Sequence, residues 1–276
     1  AIVKRFHTAK VAFNVLDSGN NLFTEKPMAP SFKLASKLLK KAINNKRYYA
    51  IGNMRRFDKG IQEAKKKFNK ILNKNQLGKF LYFENFCYAG NDYCNIDGYI
   101  KSKFPPPYHH DWARFPEWIK NQKDCLNYEK FLNYFSHNIN LIRYFFGDKF
   151  QTEPLNISKD NGSILFNFKN YHGFFKYIYT KKNVWKEGMN FYFLNGAISI
   201  KIPPAFLINQ PAEFKIFNYG KSDQESTYKF DWSWSFKNQA SSVIKDIATK
   251  STSVSSGKDT INDLKVIESV WKKILN

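Results

Sequence analysis

Between Ser163 and Phe236 the chain repeats one pattern: Ser163 to Lys169, Phe174 to Thr180, Met189 to Leu194, Ala197 to Ile202, Glu213 to Tyr219 and Thr227 to Phe236 tend to alternate large apolar with polar side chains. Successive strand residues point to opposite faces, so a period of two marks strands with one face buried. Asn195-Gly196 falls between two of these segments and supplies the turn chemistry of a type I′ hairpin. Aromatic residues make up 18% of the chain, with 27 Phe and 16 Tyr, a bulk that suits packing across a pleated face. Most of this region is expected to form one antiparallel or mixed sheet.

The first fifty residues read differently. Ala1-Ile2-Val3 has the character of the tail of a buried strand. From Thr8 to Ser18 the apolar positions Val11, Ala12, Val15 and Leu16 recur at helical spacing, and Gly19 follows as a C-cap. Asn21 to Thr24 reads as a strand. Ser31 stands as the N-cap of a helix reaching Asn45, with Ala35, Leu38, Leu39, Ala42 and Ile43 on one stripe. Tyr48 to Met54 reads as a further strand. This alternation predicts part of an α/β domain with a parallel sheet. After Arg55-Arg56-Phe57 the character changes. Ile61, Ala64, Phe68 and Leu72 outline an amphipathic helix, Gly78 ends it, and Lys79 to Tyr88 alternates like a strand. An irregular stretch from Ala89 to about Lys123 precedes a helix from Leu126 to Phe146 that is apolar nearly all round, closed by Gly147. Two last helices, Asn238 to Ile247 and Thr260 to Leu275, flank a Ser/Thr-rich loop.

Composition narrows the function classes. The formal net charge of +21 raises the question of nucleic acid, but the lysines are scattered over helix faces and loops, so no nucleic-acid role is expected. Such a surface instead steers anionic ligands, dinucleotides or nucleotide sugars among them, towards a cleft. No apolar run is long enough to span a membrane and the start lacks a signal-peptide layout, so a cytoplasmic protein is expected. Cys87, Cys94 and Cys125 have neither C-x-x-C nor zinc-finger spacing and read as free thiols. His109-His110-Asp111 lacks fixed spacing to further ligands, and no metal is expected.

Two groups of residues carry chemistry. Glu25-Lys26-Pro27 lies at the end of a strand and just before a helix, and the carboxyl ends of strands are where open α/β sheets bind ligands. A lysine there can hydrogen-bond a reacting hydroxyl, although a solvated lysine at a turn is the ordinary alternative. On the apolar helix, Asn133, Ser136, His137 and Asn140 recur at spacings of three and four, a polar stripe kept where burial makes it costly. A core histidine satisfied by neighbouring amides is one account of it, and a row facing a polar cleft is the other. Lys65-Lys66-Lys67 reads as the solvated face of its helix, and no G-x-G-x-x-G, P-loop or G-x-S-x-G occurs.

In this order the features resemble the Gfo/Idh/MocA oxidoreductases. His7 with the helix that follows resembles that family's segment after its fourth strand, and Asn21 to Ala29 its strand plus E-K-P signature. Gly52 to Gly60 resembles its G-x-x-R-R-F-x-x-G stretch and Leu77-Gly78-Lys79 the opening of its second domain. His137 is similar to its helix histidine, and Ser256 to Trp271 to its closing segment.

The resemblance implies an α/β fold: residues 1–56 as the C-terminal half of a Rossmann dinucleotide-binding domain, its first half missing, and residues 57–276 as an α+β domain with a large open, mostly antiparallel sheet that binds substrate and forms a homo-oligomer. It implies NAD or NADP as cofactor and hydride transfer to or from a sugar-like or cyclitol hydroxyl carbon, on a small-molecule substrate such as a nucleotide sugar. Lys26 and His137 would be catalytic. His7, Glu25, Lys26, Pro27 and Arg55 would lie at the cofactor, and Asn133, His137 and Asn140 at the substrate. Many members carry Asp where this chain has Asn133, and an amide cannot accept a proton, so general-base work falls on Lys26 or His137. A non-catalytic relative or inactive fragment of the family, acting as a binding or structural protein, is the alternative.

Overall fold

The structure, a computed structural model, describes residues 1–3, 5–90, 115–180, 184–220 and 223–275. Cys94, His109-His110-Asp111 and most of the irregular stretch lie outside the described residues. The chain gathers into two compact units. The first comprises Ala1–Asn53, Gly98–Asn140 and Gln239–Lys272, and the second Met54–Asp97, Leu141–Asn238 and Lys273–Asn276.

In the first unit, α1 (Arg5–Asp17), β1 (Leu22–Glu25), α2 (Phe32–Asn44) and β2 (Tyr49–Gly52) follow one another. β1 and β2 pair in parallel, from Leu22 opposite Tyr49 to Glu25 opposite Gly52. On the far side of β2 the loop before the last helix closes the ladder, with Ile51 N–H donating to Ser255 O at 2.9 Å. Ser31 caps α2 as its type predicts, its hydroxyl accepting from Leu34 N–H at 3.3 Å. Glu268, from α6 (Gly257–Leu275), adds a second cap by accepting from Phe32 N–H at 2.6 Å and from the Trp118 indole at 3.2 Å. A carboxylate at this end also complements the helix dipole. Ala35, Leu38 and Ala42 are buried on α2, whereas Ile43, expected on the same stripe, is 61% exposed. Ala1, Ile2 and Val3 are exposed and form no strand, contrary to the expectation from their apolar character, although the Ala1 ammonium donates to Phe23 O of β1.

Among the described residues the second unit is built on eight strands: β3 (Phe80–Ala89), β4 (Gln151–Leu155), β5 (Asn161–Asn167), β6 (His172–Tyr179), β7 (Trp185–Phe193), β8 (Gly196–Ile202), β9 (Glu213–Asn218) and β10 (Gln224–Tyr228). Their order across the sheet is β10-β9-β8-β7-β3-β6-β5-β4. Only β3 with β6 is parallel, so the sheet is mostly antiparallel as expected. One face is core. Phe83, Phe175, Met189, Phe191, Ile198 and Ile200 are fully buried there, and Phe68 of α3 (Lys59–Lys74) packs 4.7 Å from Phe191 between ring centres. The other face carries half-exposed aromatics, with Tyr82 stacked on Tyr192 at 4.6 Å and Lys176 paired with Glu84 at 2.7 Å. Leu72 of α3 is 39% exposed and Ile71 takes the core position expected of it. β4 was not anticipated, since Gln151-Thr152-Glu153-Pro154-Leu155 has no apolar alternation and a proline that only an edge strand tolerates. β10 stops at Tyr228, and Phe236, expected in that strand, opens α5 (Ser235–Thr249).

Candidate active site

β1 ends on Glu25, and the next two residues form the turn into α2, with a cis peptide bond between Lys26 and Pro27. The parallel register sets Glu25 beside Gly52, and the register has a purpose. A Cβ at position 52 would lie 2.8 Å from a Glu25 carboxylate oxygen, so only glycine leaves that carboxylate its place. Burial raises the Glu25 carboxyl above the ordinary glutamate value, and the adjacent Lys26 ammonium opposes the rise.

Lys26 is half-buried, and its ammonium donates to the backbone oxygen of Asn133 at 2.5 Å and to the Asn133 side-chain oxygen at 3.4 Å. Asn133 lies on α4 (Gln122–Phe146), where in regular helix geometry its carbonyl also receives the N–H of His137. His137 is half-buried one turn further along the same face. Thus two groups singled out far apart in sequence come together at the carboxyl end of β1. The arrangement sets an ammonium, an amide and an imidazole within one helical turn, a set able to orient a hydroxyl-bearing ligand and to exchange its proton.

The remaining candidates sort differently. Asn140 is 1% exposed and donates to the buried Asp263 carboxylate of α6 at 2.7 Å, so it ties α4 to α6 rather than presenting an open amide. Arg55 belongs to the second unit, where its buried guanidinium pairs with Glu187 and donates to Pro203 O at 2.8 Å. The Trp185 indole donates to the same Glu187 carboxylate at 3.1 Å. These contacts anchor Arg55 within the second unit. His7 is half-buried in the first turn of α1, and Pro27 is buried. Sequence reasoning passed over Asn138, which is 1% exposed and whose amide nitrogen and oxygen both have no hydrogen-bond partner among the described residues. Its place off the polar stripe made it look like an ordinary helix residue, and no pattern in the sequence would have found it.

No family model matches the sequence, and no curated protein matches it. Solved structures do. The UDP-N-acetylglucosamine 3-dehydrogenase of Acidithiobacillus ferrooxidans superposes with a TM-score of 0.69 at 12% identity, covering 98% of this chain and 76% of that one. The aldose-aldose oxidoreductase of Caulobacter crescentus gives 0.70 at 14% identity, covering 98% and 74%. A 3-ketoreductase of Actinomadura kijaniata, solved with NADP and TDP-benzene, gives 0.71 at 12% identity, covering 99% and 77%. Nearly all of the chain has the fold of these oxidoreductases.

Proposed function

We propose that the protein is an NAD(P)-dependent oxidoreductase of the Gfo/Idh/MocA type, transferring a hydride between nicotinamide and a hydroxyl-bearing carbon of a sugar-like or cyclitol substrate. The observation that carries the reading is the Lys26 ammonium held on Asn133 at the carboxyl end of β1, with His137 one turn along α4. The shared fold supports it, because structures of that fold belong to enzymes acting on sugars and include one solved with NADP.

The residues at this end suit a nicotinamide cofactor. They lie at a strand's carboxyl end, where α/β sheets take such ligands, and supply a cation and a half-buried carboxylate. Glu25, Lys26, Pro27 and His7 would hold the cofactor, which when bound accepts or gives the hydride. Lys26 would contact the substrate hydroxyl. Asn133 hydrogen-bonds the substrate but takes no proton, so the hydroxyl proton passes to the His137 imidazole or, when Lys26 has first given up its own proton and stands as a neutral amine, to Lys26 Nζ. Asn140 acts as a positioning residue by fixing α4 on Asp263. The half-exposed aromatic face of the eight-stranded sheet forms a homo-oligomer contact, since an open aromatic face is an association site.

The test is dinucleotide titration of the protein, followed by a screen of sugars and nucleotide sugars by nicotinamide absorbance. With an active pair found, Lys26→Met lowers turnover by about 10² to 10⁴-fold while cofactor affinity changes little. A folded protein that binds neither dinucleotide would instead be a non-catalytic relative.

A further inference from the structure

Two helices of the first unit end alike and at one place. After α2, Lys46 has a φ of +52°, its N–H donates to Ile43 O at 3.0 Å, and Arg47 N–H donates to Ala42 O at 2.9 Å. After α5, Lys250 has a φ of +54°, its N–H donates to Ile247 O at 3.4 Å, and Ser251 N–H donates to Asp246 O at 2.8 Å. Both are Schellman endings, in which the left-handed position favours glycine. The comparable positions after α1 and α4 are Gly19 and Gly147, and after α3 Asn75. A lysine in the last turn would serve the helix dipole without occupying the strained position. Here both strained lysines line the same cavity.

That cavity measures about 590 Å³ and also takes Arg47 and Lys258 in its wall. Among the described residues none of these four cations has a carboxylate partner, and the nearby Asp246 carboxylate accepts from Tyr48 O–H at 3.1 Å. Burial, the largest influence on the Tyr48 phenol, pushes it up to about 12, so it stays a neutral donor. Leu39, Ile43 and Ile247 give the cavity an apolar side. Asn21, Tyr48 and Tyr49 place it at the amino ends of β1 and β2, the opposite end from Lys26. Lys258 lies in the first turn of α6, whose dipole favours an anion, while the carboxyl ends of α2 and α5 oppose one, so the side-chain cations and not the dipoles supply the attraction.

We propose that this cavity binds a phosphorylated small molecule with an apolar or aromatic body, its phosphate held among Lys46, Arg47, Lys250 and Lys258 and its body against Ile43 and Ile247. The four side chains are exposed and gathered on one cavity wall, and like charges so placed favour a group carrying more than one negative charge, which a phosphate ester does and a single carboxylate does not. The site is separate from the one at Lys26, and its occupancy does not depend on the reaction proposed there.

Calorimetric titration of the full chain with inorganic phosphate and with phenyl phosphate tests this. Phenyl phosphate binds more tightly than inorganic phosphate, because the apolar side adds to the charge. The Lys46→Gly/Lys250→Gly double variant introduces the residue type that such helix ends favour, so it stays folded with an unchanged or higher thermal midpoint. Its phenyl phosphate affinity falls by about tenfold or more. Lys26→Met leaves that affinity unchanged. The proposal is overturned if neither probe binds at millimolar concentration, if the double variant binds as tightly as the natural chain, or if Lys26→Met abolishes the binding.

Discussion

Glu25 holds a carboxylate where burial disfavours charge, and Gly52 provides the space it occupies. Because its carboxyl is raised in the folded protein, ionising it costs the folded state more than the unfolded one. Its contribution to stability is therefore largest below the ordinary glutamate value of about 4.3 and is lost as pH rises through the raised folded value. Urea titrations on either side of this window should show Glu25→Gln without that loss, while a variant with the same slope as the natural chain would refute the assignment. Gly52→Ala should displace the carboxylate and lower turnover through Lys26, read as a fall in kcat with the fold retained by circular dichroism. At Asn133 the contrast is electrostatic. Asn133→Asp sets a negative charge where Lys26 now finds an amide oxygen at 3.4 Å, so the ammonium is favoured and the activity profile shifts to higher pH if Lys26 is the base. The same charge would stand one turn from His137, so an unmoved profile would speak against both groups as the base.

The elements show why some features were legible and others not. α3 was plain in sequence because its apolar positions recur at helical spacing, but its anchoring was hidden. Asp58, its N-cap, accepts from Ile61 N–H at 3.1 Å and from Ala212 N–H at 3.0 Å, a residue 154 positions away. A Cβ at Gly60 would lie 1.8 Å from Ala212 O, so this glycine is required by close approach and not by a turn. Asp58→Ala should cost about 1 to 2 kcal/mol for the cap alone, and more for the unpaired Ala212 N–H, as a shift in the urea midpoint. Arg55 and Glu187 make a stronger case. Both are fully buried, so Glu187→Gln leaves a buried guanidinium without its counter-charge and should destabilise by about 3 to 5 kcal/mol. A midpoint unchanged by that substitution would mean the pair is solvated in solution. The missed β4 and the overextended β10 lie towards the sheet's two edges, where little burial is demanded and sequence pattern is correspondingly weak.

At the scale of the molecule, the proposed association through the open sheet face predicts that light scattering finds an oligomer at micromolar concentration. Charge introduced at the Tyr82–Tyr192 stack, as in Tyr192→Lys, should shift it towards monomer, and a natural chain that is monomeric throughout would remove the idea. Among the described residues no helix is long and apolar enough to cross a membrane. Periodicity by itself determined the kinds of element, the parallel start and the large sheet, because burial of one face imposes its period locally on every helix and strand. It also marked Lys26 and the α4 stripe as unusual, since a cation at a strand end and amides on an apolar helix are costly wherever they occur. Partnership was decided only in the tertiary structure. Asn133 receives Lys26 across 107 positions, Asn140 turns to Asp263, and Arg55 to Glu187. The grouping of Ala1–Asn53 with Gly98–Asn140 and Gln239–Lys272 into one unit belongs to the same level. The physical reason is that side-chain pairing depends on distances between elements set by packing, and a linear pattern holds the preference of each residue but not its neighbour in space.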